Sequence, residues 1–237
     1  GTLSATEGQV SLQGGRFIGV TTSTGASGSA DENVRGLILA SQIPNVPLQP
    51  QAPTPDQGVV INSGLISSRR GYISLGTSIY GQVTNDGLLS ATTSVSRNGK
   101  IALTGGSVRL AGDADLTKAS GISILPDDNG ETIPQGSPDS PPAFKSSQIS
   151  IGNTINSYLL ADGSGDTALL PTLFSMEQNS FILAPNAKVV IGHDLASGVF
   201  LPNPGISGSV TIADGAIIDV SGMKAVARNV SDNSVRI

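Results

Sequence analysis

The 237-residue chain contains no cysteine, no tryptophan and a single histidine. Without cysteine there is neither a disulfide nor a thiolate metal site. That absence is compatible with export, where a stray thiol is a reactive liability. Aromatic residues make up 3% of the sequence and charged residues 13%. A core built on large rings, which supply much of the buried area in compact domains, does not fit. Net charge is −5, and no basic cluster exceeds the Arg69-Arg70 pair. The footprint of a nucleic-acid binder is therefore missing. No apolar run approaches the ~18–20 residues of a transmembrane helix. No signal-peptide pattern opens the chain.

What is present is glycine, at 30 residues, with serine, threonine and small aliphatic side chains. Apolar content is 38%, enough for a folded protein rather than a disordered one. Helical periodicity is nearly absent. Apolar residues alternate instead, as in Gln9-Val-Ser-Leu12, Tyr72-Ile-Ser-Leu75, Ser107-Val-Arg-Leu110, Gln148-Ile-Ser-Ile151 and Ser209-Val-Thr-Ile212. Period two marks strands with one buried face. Corner residues separate them, among them Asn85-Asp-Gly87, Asn98-Gly99, Gly105-Gly106 and Asp214-Gly215. Such residues tolerate the backbone of tight corners.

The alternating segments recur in a pattern. Gly1-Thr-Leu-Ser-Ala leads to Gly8-Gln-Val-Ser-Leu, Gly64-Leu-Ile-Ser-Ser to Gly71-Tyr-Ile-Ser-Leu, and Gly87-Leu-Leu-Ser-Ala to Gly99-Lys-Ile-Ala-Leu. The second and third copies are offset by 23 residues, from Gly64 to Gly87. A hairpin sheet does not require glycine-flanked units to recur. A stacked coil does, because each repeat meets the same neighbours above and below. The sequence thus predicts an all-β fold, a parallel β-helix, over an antiparallel sandwich or barrel. Gly1 already lies inside a repeat copy, so residues 1–237 read as a single β-helical segment of a longer chain.

Three stretches break the pattern and read as loop excursions: about 42–57, with five prolines, about 126–148, and about 162–178. Proline cannot donate to a strand ladder. In the third, Thr167–Met176 suits a short helix or a lid. Setting these aside leaves about 180 residues, or about eight coils at ~20–23 residues each.

The search for chemistry finds few candidates. His193 lies beside Asp194, but adjacent residues on a strand point to opposite faces, so they would not pair as in a triad. Gly163-Ser-Gly165 has the wrong spacing for a nucleophile elbow. Asp113 and Asp115 share parity, roughly 7 Å apart on an extended strand, yet their surroundings read as a solvated corner. Asp127-Asp-Asn-Gly130 has oxygen ligands but not the ordered spacing of a calcium loop. Gly14-Gly15 and Gly105-Gly106 open no helix, so they cradle no phosphate. Neither a catalytic residue, a cofactor site nor a metal site is assigned, and the chain is not expected to be an enzyme. Asn62, Asn85 and Asn98 precede glycines at corners. They form either stacked amide ladders inside the rod or single turns.

The Gly-x-Leu/Ile-Leu/Ser-Ser/Ala units, the Gly-x-Ile/Val-x-Leu units and Ala216-Ile-Ile-Asp-Val-Ser-Gly222 resemble the repeats of filamentous-haemagglutinin-like exoproteins. These are the secreted partners of two-partner secretion in Gram-negative bacteria. The resemblance implies a right-handed parallel β-helix, export through an outer-membrane secretion pore, and a secreted or cell-surface adhesin. Asn203-Pro-Gly-Ile206 only partly matches the family's Asn-Pro-Asn-Gly motif and carries no secretion role here. The leading expectation is a shaft segment whose proline-rich loops meet a host-cell or matrix receptor or glycan. The alternative is a structural subunit of an extracellular filament or biofilm matrix with end-to-end self-association. A polysaccharide-degrading β-helix enzyme stands outside both.

Overall fold

A computed structural model describes residues 1–15, 17–22, 37–42, 58–78, 80–94, 98–112, 120–127, 146–152, 173–192 and 208–222. The chain winds through three sides and then repeats. The first coil holds β1 (Thr2–Thr6) and β2 (Gln9–Gly14), then a hairpin of β3 (Phe17–Thr22) and β4 (Leu37–Gln42), then β5 (Val59–Asn62). The second holds β6 (Leu65–Arg69), β7 (Tyr72–Thr77) and β8 (Gln82–Asn85), and the third β9 (Leu88–Thr93), β10 (Lys100–Thr104) and β11 (Ser107–Leu110). The fourth is β12 (Gly121–Pro126), β13 (Gln148–Ile151) and β14 (Leu173–Met176), and the fifth β15 (Phe181–Leu183), β16 (Lys188–Ile191) and β17 (Ser209–Ile212). β18 (Ile217–Asp219) begins a sixth.

Each side stacks into a parallel sheet. The first sheet runs β1-β6-β9-β12-β15-β18, the second β2-β7-β10-β13-β16, and the third β5-β8-β11-β14-β17. The described residues are therefore an all-β solenoid of parallel sheets, as the alternation and repeats predict. They trace five full coils and one further side.

Register explains why the alternation is so regular. In the second sheet Val10, Ile73, Ile101, Ile149 and Val189 stack in one inward column, and Leu12, Leu75, Leu103, Ile151 and Ile191 in the next. In the first sheet Leu3, Ile66, Leu89, Ile122, Ile182 and Ile218 do the same. The middle members of these columns are fully buried, each stabilising the fold by about 1.5–3 kcal/mol. Aliphatic side chains fill this narrow interior, and Phe174 and Met176 join it from β14. Leu173–Met176 is thus a strand, not the helix or lid expected there. Its Phe174 and Met176 point inward on period two.

The repeat glycines are the corners of this stack. Leu65 N–H donates to Gly1 C=O at 3.0 Å and Leu88 N–H to Gly64 C=O at 2.9 Å. A Cβ on Gly87 would run into the carbonyl oxygen of Gly64, and one on Gly64 into that of Gly1. The recurring glycine is required because successive corners pass too close for a side chain.

One element departs from the parallel plan. β3 and β4 pair antiparallel, and β4 packs against β2 and β7. β7 is consequently buried on both faces, including its outward Ser74. Gln13 lies along this outer surface and donates through Nε2 to Ser11 Oγ and Ser74 Oγ, both at 3.2 Å.

Candidate functional site

The strand order decides where the longer connections between strands are anchored. Three of the longer inter-strand segments depart from the second sheet and return on the third: from Gly14 to Val59 in the first coil, from Ile151 to Leu173 in the fourth, and from Ile191 to Ser209 in the fifth. Their anchors share one edge of the solenoid. A further segment, 128–145, connects β12 to β13, between the first sheet and the second. Segments held on a rigid scaffold are where recognition concentrates.

The departure point is built the same way in two coils. Gly152 N–H donates to Leu103 C=O at 2.9 Å, and Gly192 N–H to Ile151 C=O at 2.8 Å. Among the described residues these are the last ladder bonds of β13 and β16. Both glycines then take positive φ, 130° and 103°, a backbone that L side chains rarely adopt.

The corner between the first and second sheets holds a polar clamp. Arg70, at φ 52°, has a side chain only 5% exposed. Its Nε donates to Asp127 Oδ2 at 3.0 Å, and Arg69 Nε donates to the same oxygen at 2.6 Å. Arg69 Nη2 reaches Asp127 Oδ1 at 3.2 Å, and Thr92 Oγ1 donates to Oδ2 at 3.3 Å. On its other side Arg70 Nη1 pairs with Glu7 Oε1 at 3.4 Å. The hydrogen bond from Arg69, with that from Arg70 and both positive charges, holds the Asp127 carboxyl down to about 2. Glu7, Arg70, Thr92 and Asp127 belong to four successive coils, so the clamp spans them all. A second pair joins neighbouring coils on the third sheet. Arg109 Nε and Nη2 donate to Glu177 Oε1 and Oε2 at 2.7 and 2.8 Å. With Gly112 N–H they keep that carboxyl below its usual value.

The clamp bears on the calcium reading. Both Asp127 oxygens already accept from guanidinium groups, so a cation there would face two positive charges. Asp128, Asn129 and Gly130 lie outside the described residues, as do His193, Asp194, Asp113, Asp115, Gly163–Gly165 and Asn203–Ile206. No group of three or more His, Cys, Asp and Glu suited to a metal occurs among the described residues. Gly14-Gly15 and Gly105-Gly106 fall at strand ends, where the second sheet turns to the third.

Asn62 and Asn85 form the internal ladder that one of the two sequence readings anticipates. Asn62 Nδ2 donates to Asn85 Oδ1 at 2.8 Å, and Asn85 Nδ2 to Gly87 C=O at 2.9 Å and Gly121 C=O at 3.1 Å. Both amides are buried. Asn98 stands apart from that ladder and accepts from Thr93 Oγ1 at 2.9 Å. Sequence reasoning missed the partners of Arg69 and Arg70, because the aspartate lies 58 and 57 residues away. Only the stacking of coils brings them together.

Comparisons with protein-family models, with curated proteins and with solved structures each find no match to this chain. Among the described residues no helix is long and apolar enough to cross a membrane, which says nothing of β-barrels.

Proposed function

We propose that this chain is a shaft segment of a secreted bacterial surface adhesin, a right-handed parallel β-helix that presents recognition segments along one edge. The observation that carries the reading is the shared edge between the second and third sheets, where three long segments are anchored at both ends on an aliphatic solenoid. A scaffold that repeats its interior and varies its insertions on one edge suits display rather than turnover. The chain is accordingly read as non-enzymatic, without cofactor. Export through an outer-membrane pore of a Gram-negative bacterium, and a cell-surface location, rest on the repeat resemblance alone. The partner is a host-cell or matrix receptor, or a glycan, met by the segments 16–57, 153–172 and 193–207.

The test is attachment by the full-length parent protein with these segments replaced, one at a time, by short Gly-Ser turns. Attachment lost with a segment while the rod stays folded supports the reading. Attachment undiminished by all three replacements overturns it. Electron microscopy of the parent separates the alternative, since long filaments of repeating subunits favour a structural matrix component over single anchored rods.

A further inference from the structure

The fifth coil and the start of the sixth leave an open face. Val210 continues the inward column of Val60, Val83, Val108 and Phe174, and Ile212 that of Asn62, Asn85, Leu110 and Met176. Ile218 continues the column of Ile122 and Ile182. Val108, Leu110 and Ile122 are 0% exposed, whereas Val210, Ile212 and Ile218 are 55%, 51% and 37% exposed. Side chains placed as core are therefore uncovered along this end.

We propose that residues 224–237 of the same chain dock on this face and supply the second and third sides of the sixth coil. The sequence repeats the coil intervals found in the structure. From Phe181, which opens β15, to Lys188, which opens β16, is seven residues. From Ile217, the register partner of Phe181, to Lys224 is seven again. From Tyr72, which opens β7, to Gln82, which opens β8, is ten residues, as is Lys224 to Ser234. From Gln82 to Ser107, third-sheet neighbours, is twenty-five, as is Ser209 to Ser234.

The residues agree with the intervals. Ser234-Val-Arg-Ile237 repeats Ser209-Val-Thr-Ile212 of β17 and Ser107-Val-Arg-Leu110 of β11. Placed in that register, Val235 covers Val210 and Ile237 covers Ile212, while Arg236 faces outward beside Thr211. The proposal deepens the shaft reading and rests only on its coil geometry. Attachment undiminished by the segment replacements, with the docking intact, would sink the adhesin and spare the coil.

The absence of native cysteine allows a direct test on the whole 237-residue chain. Adjacent Cα atoms on paired strands lie about 4.8 Å apart, within the ~4.4–6.8 Å that a disulfide spans. Thr211→Cys with Arg236→Cys, one register pair, closes an intramolecular disulfide under mild oxidation, independent of protein concentration. Thr211→Cys with Val235→Cys, of opposite parity, stays reduced. Equal oxidation of the two pairs, oxidation of neither, or cross-linked dimers only would overturn the proposal, the last pointing to a second copy as the occupant. A second readout is hydrogen exchange of the β17 amides. Val235→Asp raises it about tenfold while Arg236→Asp leaves it unchanged; identical effects of the two would count against docking.

Discussion

The second and third sheets of the solenoid share one pattern of register but fill their inner columns differently. In the second sheet both columns are aliphatic through all five coils. In the third, one column begins with Asn62 and Asn85 and changes to Leu110, Met176 and Ile212. An aliphatic level needs only volume from its neighbours. An amide level needs a partner at the right height, and Asn85 finds it in Asn62 and in the corner carbonyls of Gly87 and Gly121. The amides tie the corner to the interior, and the aliphatics fill the space.

That contrast is broken most severely on the aliphatic side. Leu103→Ala, at a fully buried position, leaves a cavity that stacked backbone cannot close, and costs about 2–5 kcal/mol in chemical denaturation. Asn85→Ala costs less, about 1–3 kcal/mol, because it takes the acceptor from one Asn62 N–H and a donor from the Gly87 and Gly121 carbonyls, while Asn62 keeps its bonds to Gly64 and the Gly87 carbonyl its bond from Gly121 N–H. Replacing both asparagines by leucine sharpens the comparison. If the ladder contributes hydrogen bonds alone, the double variant recovers most of that loss, as Leu110 in the same column implies. A double variant no better than Asn85→Ala would mean that the ladder specifies the coil register.

Polar groups at the surface extend the series downward. Asp127 has its carboxyl held at about 2, below the ~3.9 of an unfolded chain. Its contribution is therefore complete above about pH 4 and is lost as pH falls from there towards 2. Thermal melts of Asp127→Asn should show a shallower decline across that window than the parent chain. The exposed Arg109–Glu177 pair, with side chains 46% and 40% exposed, gives the smallest effect. Arg109→Ala costs about 0.2–1 kcal/mol, and the cost shrinks in high salt.

The solenoid was legible because its rules are local. Period two sets which side chains face inward, and the glycine pair sets the corner, as Gly64 and Gly71 show. The hairpin of β3 and β4 was not legible, since Phe17–Thr22 carries the same alternation as the coil strands and only its pairing sets it apart. β14 is hard to read although Leu173-Phe-Ser-Met176 alternates correctly, because four residues are too few to separate period two from a helical turn. The clamp escaped for a different reason. Arg69, Arg70, Thr92 and Asp127 meet only when coils two to four are stacked, and stacking is a property of the whole repeat. The amide ladder stood between these cases, visible as corner asparagines but undecided until the register put Asn62 over Asn85.

The clamp also has a mechanical meaning. In a rod of stacked coils the backbone hydrogen bonds lie along the long axis, so an axial pull loads every interface in series and opens the weakest first. Arg70 reaches from Glu7 in the first coil to Asp127 in the fourth. It lies beside those interfaces like a tie bar, so a pull that separates neighbouring coils must also break charged bonds anchored beyond them.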